Sequence, residues 1–228
     1  MPPAYATHDS QLYAGSSSWV GNRPSGTVQD DLLITHICIN DAAFSVSTPP
    51  SGWNVVEGPV DSLDGDCRGY VYYKVAGASE PSTYTWTMST GSASGAIHTV
   101  RYIGVDTSAP INISDSVGTA ASTVNHTSPS ITPSVDGCLI VGFCHVDKSG
   151  TQTPYWTPPS GYDERYDHEG GSFVESTSAD LIQNTAASVS VTFTGNDGDA
   201  GAVVIVALAP VAGGGGDTGV AVVLLGGM

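Results

Sequence analysis

Basic residues are scarce in this chain. Six lysines and arginines stand against 22 aspartates and glutamates, a formal net charge of -16 in 228 residues. A nucleic-acid backbone is gripped by clustered Lys and Arg, so the composition argues against nucleic-acid binding, and against an anionic membrane surface for the same reason. Long apolar runs are missing as well, and nothing approaches the roughly 18–20 residues of a membrane helix. The opening Met1-Pro2-Pro3-Ala4-Tyr5 has no basic region and no apolar segment, which predicts no secretory leader. The four cysteines (Cys38, Cys67, Cys138, Cys144) show no C-x-x-C spacing. Cys138 and Cys144 lie in one apparent strand, roughly 20 Å apart at about 3.3 Å per residue, too far to bond each other. Reduced, buried thiols are the expectation. No stretch carries a helical period, and no G-x-S-x-G element, P-loop, dinucleotide fingerprint or zinc-ligand spacing occurs. These absences assign no catalytic residue and no cofactor, and predict a protein that is not an enzyme.

What is present is β structure. The 28 glycines and 14 prolines are spread along the chain, as in a protein of many short strands and tight turns. Asp31 to Asp41 and Gly137 to Asp147 are near-continuous apolar runs, the pattern of buried central strands. Tyr84-Thr85-Trp86-Thr87-Met88 alternates with period two, placing Tyr84, Trp86 and Met88 on one face.

The chain also repeats itself. Thr48-Pro49-Pro50-Ser51-Gly52 recurs as Thr157-Pro158-Pro159-Ser160-Gly161, followed by Trp53 and Tyr162 respectively. Two prolines fix two φ angles and remove two donors, so both copies read as rigid turns between strands. The copies are offset by 109 (157 minus 48), Asp31–Asp41 and Gly137–Asp147 by 106 (147 minus 41), and Tyr84–Thr87 and Val191–Thr194 by 107 (191 minus 84). Gly95–Tyr102 and Gly201–Leu208 are again 106 apart (201 minus 95). Such steady offsets predict an all-β protein of two tandem, homologous antiparallel β-sandwich units of jelly-roll or immunoglobulin-like type, each the size of one sandwich. The first spans residues 1–106, the connector 107–113, the second unit 114–210 and a C-terminal tail 211–228. The rival architecture is one larger jelly-roll with one sheet from each half.

In that extended tail a glycine spacer precedes Val220, Ala221, Val222, Val223, Leu224 and Leu225, apolar and β-prone. Left free, the hexapeptide would be an aggregation hazard, so it reads as an assembly element buried against the chain itself or a neighbour, as an added strand or a plug. Asp61, Asp64 and Asp66 form an acidic loop that is a weak calcium candidate lacking the full twelve-residue loop. Asp163, Glu164, Asp167, His168 and Glu169 make the densest charge in the chain and read as a solvated loop able to recognise a partner. Trp53, Trp86 and Trp156 would form a sugar-stacking platform if exposed. Trp53, Trp156 and Tyr162, at or beside the Pro-Pro turns, join the charged residues as candidates for loop recognition. His145-Val146-Asp147 closes a strand, but the sequence names no further ligands for a metal there. Asn196-Asp197-Gly198-Asp199 reads as a hairpin turn.

The strings Asp30-Asp31-Leu32-Leu33-Ile34, Pro49-Pro50-Ser51-Gly52-Trp53, Tyr72-Tyr73-Lys74-Val75-Ala76-Gly77-Ala78-Ser79-Glu80-Pro81 and Tyr84-Thr85-Trp86-Thr87 resemble a β-sandwich repeat of tailed-bacteriophage structural proteins and related bacterial surface proteins. The second half keeps only the Leu-Ile strand, Pro158-Pro159-Ser160-Gly161 and the closing apolar strand, so it resembles a diverged copy. The resemblance implies a virion component on the particle's exterior, assembled in host cytoplasm: a capsid decoration or cement protein, a head fibre or a tail protein. Implied partners are other copies of the chain, a trimer favoured, and the major capsid protein. A carbohydrate-binding or host-adhesion module that takes a host glycan is the alternative. The repeat has no catalytic residues to carry over.

Overall fold

Residues with period-two or continuous apolar patterns pair into strands because only a sheet buries such a face while satisfying every backbone donor and acceptor. The computed structural model describes residues 1–89, 93–120, 123–147, 155–168 and 173–211. Among these residues every regular element is a β-strand. The first half supplies β1 (Ala4–Tyr13), β2 (Ser18–Asn22), β3 (Leu32–Ile39), β4 (Val46–Thr48), β5 (Asn54–Asp61), β6 (Arg68–Val75), β7 (Thr83–Met88) and β8 (Gly95–Ile103). The second supplies β9 (Ile111–Thr119), β10 (Asn125–Thr127), β11 (Cys138–Val146), β12 (Trp156–Thr157), β13 (Asp163–His168), β14 (Glu175–Gln183), β15 (Thr192–Gly195) and β16 (Gly201–Leu208).

These strands form four antiparallel sheets. In the first half they are a five-stranded sheet, β1-β8-β3-β6-β5, and a three-stranded sheet, β2-β7-β4. In the second half they are β9-β16-β11-β14-β13 and β10-β15-β12, the same order with eight added to every strand number. A jelly-roll with one sheet from each half is therefore not the architecture, because each half contributes two sheets.

The Pro-Pro segments are turns that carry the chain from the small sheet to the large one, β4 to β5 and β12 to β13. In each, the aromatic N–H closes the turn on a proline carbonyl, Trp53 on Pro50 (3.3 Å) and Tyr162 on Pro159 (3.0 Å). The glycine between takes positive φ, 83° at Gly52 and 85° at Gly161, where a Cβ would be strained. Asn196 to Asp199 does not close a hairpin. β15 and β16 belong to different sheets, so this segment crosses between layers.

One register departs from the sequence reading. Leu32 pairs with Tyr102 and Leu139 with Leu208, so β3 and β11 correspond at 107 (139 minus 32), not 106. A one-residue slip exchanges the two faces of a strand. At 107, Leu32, Ile34, His36 and Cys38 match Leu139, Val141, Phe143 and His145.

The cores follow from those faces. Trp19, Leu33, Ile37, Tyr72, Trp86 and Ile97 fill the space between the large and small sheets of the first half. Ile140, Cys144, Trp156, Phe193, Val203 and Ile205 do so in the second. The two five-stranded sheets then pack on each other, burying Leu32, Ile34, Val71, Val100 and Tyr102 against Leu139, Val141, Phe143, Val204 and Val206. The layers run small, large, large, small.

Contacts across the central layer obey a pseudo-twofold axis. On one flank the His8 ring meets Tyr166 (5.6 Å). On the other flank the corresponding pair, Ser114 and Glu57, hydrogen-bonds at 2.6 Å. At the centre His36 and Phe143, corresponding positions on β3 and β11, face each other at 5.3 Å. This is the pattern of an isologous interface, formed here within one chain.

Candidate functional site

Alternation along β3, β8, β11 and β14 sets one side chain in two into the layer between the large sheets. That layer is apolar at the Leu32 and Leu208 end and polar at the other. Five of the six histidines meet there. Ser10 Oγ and Ser176 Oγ bond the two nitrogens of His98 (2.7 and 2.8 Å). His98 also stacks on Tyr166 (4.3 Å) and lies 5.1 Å from His168. The Tyr166 hydroxyl bonds His36 Nδ1 at 2.8 Å, and His36 Nε2 reaches His145 Nδ1 at 3.2 Å. Tyr5 Oη bonds His8 Nδ1 at the flank (2.9 Å). His126 stands behind this seam, under Trp156 and bonded to Thr119 (2.7 Å).

Burial sets the protonation of the cluster. It holds His36 and His98 well below 6.5, with their neighbouring histidines adding to the effect. It takes His145 down to about 3, His126 adding to the shift, and His126 to about 4. The same desolvation lifts the Cys38 thiol well above 9 and Cys67 to about 12. All four cysteines are buried and unpaired.

Cys38 completes a closer grouping. Its Sγ lies 3.3 Å from His36 Nε2. The ligand atoms of His36, Cys38 and His145 all fall within 4.8 Å of one another, the one such trio among the described residues. His145 was singled out from sequence without partners; His36 and Cys38 were not. The available signal was His36-Ile37-Cys38, two donors one residue apart on a strand and hence on one face.

The other sequence candidates fall elsewhere. Asp61 is held by Arg68 through two bonds (2.5 and 2.7 Å), while Asp64 accepts from Ser62 and from the Asp66 amide (2.7 and 3.2 Å). The Asp61 and Asp64 carboxylates serve a surface ion pair and a turn, and among the described residues the three acids form no metal-holding group. Trp53 and Trp156 are 6% and 3% exposed, and Trp86 is fully buried. Trp53 packs edge-on to Tyr84 (5.0 Å) and Trp156 to Tyr155 (4.9 Å). All three indoles lie in the cores between a large and a small sheet, so they are no sugar platform. Tyr162 is partly buried against the same second-half core.

Asp163 to His168 is not a loop but the edge strand β13. Asp163 and Glu164 face solvent, Asp167 accepts the Trp156 amide (3.0 Å) and His168 joins the seam. Arg165, at a register shift in this strand, makes a two-point bond to buried Asp180 and lies 4.5 Å over the Tyr5 ring. Its guanidinium lines a shallow groove with Pro3, Tyr5, Asp163 and Ile182. Glu169 and Val220 to Leu225 lie outside the described residues.

No protein-family model and no curated protein matches the chain. Among solved structures, the crystal structure of the STIV MCP aligns with 90% of this chain and 96% of that one, at 10% identity and a TM-score of 0.25. A likeness of that size carries no argument about fold or role.

Proposed function

We propose that this protein is a non-enzymatic structural subunit of a phage virion, a capsid decoration or cement protein that acts by protein–protein assembly on the particle's exterior. In this reading its two sheet pairs are two copies of one β-sandwich unit, joined by a short connector. The observation that carries the reading is where the reactive side chains sit. Every cysteine is buried, and the histidines hold two large sheets together instead of lining an open cleft. Among the described residues, exposed acidic side chains such as Asp61, Asp163 and Glu164 are set on strands, a surface suited to docking. The resemblance of the Leu-Leu-Ile, Pro-Pro-Ser-Gly-Trp and Tyr-Thr-Trp-Thr strings to a phage repeat supports the virion assignment. A glycan-binding role would have to do without Trp53 and Trp156.

Assembly would proceed through copies of the chain, as a trimer, and through the major capsid protein, with residues 220–225 as the assembly segment. Sedimentation of the full chain, and of a variant ending at residue 212, tests this. The full chain should sediment as an oligomer and co-purify with particles, and the truncated one should do neither. A full chain that is monomeric and absent from particles would remove the proposal.

A further inference from the structure

His36 and Cys38 are two residues apart on β3 and project from the same face of one large sheet. His145 projects from β11 of the facing sheet, at the position corresponding to Cys38 across the pseudo-twofold axis. Their donor atoms stand 3.3 Å apart (Cys38 Sγ to His36 Nε2) and 3.2 Å apart (His36 Nε2 to His145 Nδ1). With metal–nitrogen bonds of about 2.0–2.1 Å and a metal–sulfur bond of about 2.3 Å, the donors of a three-coordinate centre stand roughly 3.5–3.8 Å apart. An ion would therefore open these two separations by a few tenths of an ångström, and all three donors already lie within 4.8 Å of one another. The Tyr166 hydroxyl, 2.8 Å from His36 Nδ1, fixes that ring with Nε2 turned to the trio, the outer contact that ligating histidines use. Gly69 leaves room for His145: a Cβ there would lie 2.2 Å from its Cε1.

Hydrogen bonding alone does not satisfy the group. A neutral imidazole has one N–H and one bare nitrogen. His145 Nε2 is buried with no partner. His36 Nε2 is also shared, lying 3.2 Å from His145 Nδ1 and 3.3 Å from Cys38 Sγ, so one ring nitrogen faces two candidate partners and can pair with only one of them through a single proton. We propose that His36 Nε2, His145 Nδ1 and Cys38 Sγ bind a single thiophilic monovalent cation, Cu(I), between the two large sheets. Binding exchanges the thiol proton for the metal, Cu⁺ plus R–SH giving R–S–Cu plus H⁺, with no change of oxidation state. One thiolate and two neutral imidazoles make the Cu(I) centre neutral, whereas Zn(II) would leave a net positive charge. Phe143, Tyr166 and His98, which lie against the His36 ring, offer no charge to balance it, and an uncompensated buried charge is costly. Thiolate and imidazole donors suit Cu(I). Because the ligands come from two sheets, the ion would also tie the halves together.

The three side chains are buried, so the ion enters during folding. Full-length protein is unfolded and refolded anaerobically under reducing conditions with Cu(I) buffered by bicinchoninate, with Zn(II), or with chelator alone. The expected result is one copper per chain after gel filtration and X-ray absorption showing one sulfur and two imidazole neighbours. The copper-loaded protein should also melt at a higher temperature than the chelator-treated one. Cys38→Ser and His145→Gln should weaken copper binding at least about 100-fold, as loss of metal contacts does. Cys138→Ser, whose thiol lies at the far end of β11, should bind normally. The absorption data on unmutated protein keep the test decisive even where a variant does not fold. No copper retained, retention with no sulfur neighbour, retention undiminished in Cys38→Ser, or zinc held in place of copper would each overturn the assignment.

Discussion

The histidine seam makes a residue-scale prediction about acid. His145 and His126 titrate at about 3 and about 4 in the folded protein, and His36 and His98 well below their ordinary 6.5, in each case because burial penalises the imidazolium. Between the folded and unfolded values the unfolded chain binds more protons, so stability rises with pH across that window. The contribution is complete above about pH 6.5 and is lost as pH falls from there towards 3–4, at about 1.4 kcal/mol per pH unit for each histidine in its window. Asp147 works in the opposite sense. Burial, with Asp199, Asp66, Asp64 and Asp41 adding to it, raises its carboxyl to about 6, so it favours the folded state as pH drops through that value. Burial raises the Asp180 carboxyl as well and lowers His8, so five lowered histidines stand against two raised carboxyls. The urea midpoint should be level from pH 8 to 6.5 and then fall as pH is lowered further. A midpoint unchanged down to pH 4.5 would show that the histidines are not held neutral by the fold.

At the scale of elements, β13 shows what sequence patterns convey and what they hide. Its charge density reads as a solvated loop, because six polar or charged residues in a row bury nothing by themselves. The structure makes it an edge strand, and exposed acidic side chains are one of the ways an edge avoids pairing with another chain. Tyr166 and His168 turn into the seam, and the Arg165 guanidinium spans Asp180 on β14 and Tyr5 on β1. Asp180 is almost fully buried, its side chain 1% exposed. Removing Arg165 leaves that carboxylate unpaired, which costs about 3–5 kcal/mol for a buried pair. Chemical denaturation of Arg165→Ala should show a loss of this size, while Arg165→Met with Asp180→Leu should recover most of it. An Arg165→Ala loss below about 1 kcal/mol, the range of an exposed ion pair, would mean the bond is a surface one. The strands themselves were legible wherever apolar residues alternated or ran on: β3, β7, β11 and β16 all lie where the pattern put them. The Pro-Pro turns were legible for the same local reason. The register of β11, the crossing at Asn196–Asp199 and the burial of Trp53 and Trp156 were not, because each is decided by which sheet a strand joins. The His36, Cys38 and His145 trio was hidden most completely, since its members come from opposite halves of the chain.

For the whole molecule, the central layer decides how the halves depend on each other. Leu32, Ile34, Val71, Val100 and Tyr102 are buried only because the second large sheet covers them. A first half on its own would expose a contiguous apolar face, and exposed faces of that kind associate. Because the covering sheet is related to it by a pseudo-twofold axis, the face is close to self-complementary, and a second copy of residues 1–106 can take the place of residues 114–210. The substitution is imperfect. His36 would meet His36 where it now meets Phe143, and Cys38 would meet Cys38 where it now meets His145. The fragment should therefore form a dimer, weaker than the joined chain and dissociating on dilution, with sedimentation giving about twice the fragment mass at high concentration. The full chain should unfold in one transition, since neither half keeps its core without the other. A fragment that stays monomeric at every concentration and unfolds cooperatively would show instead that the halves are independent sandwiches resting against each other. The central layer would then be an accessory contact and not a core.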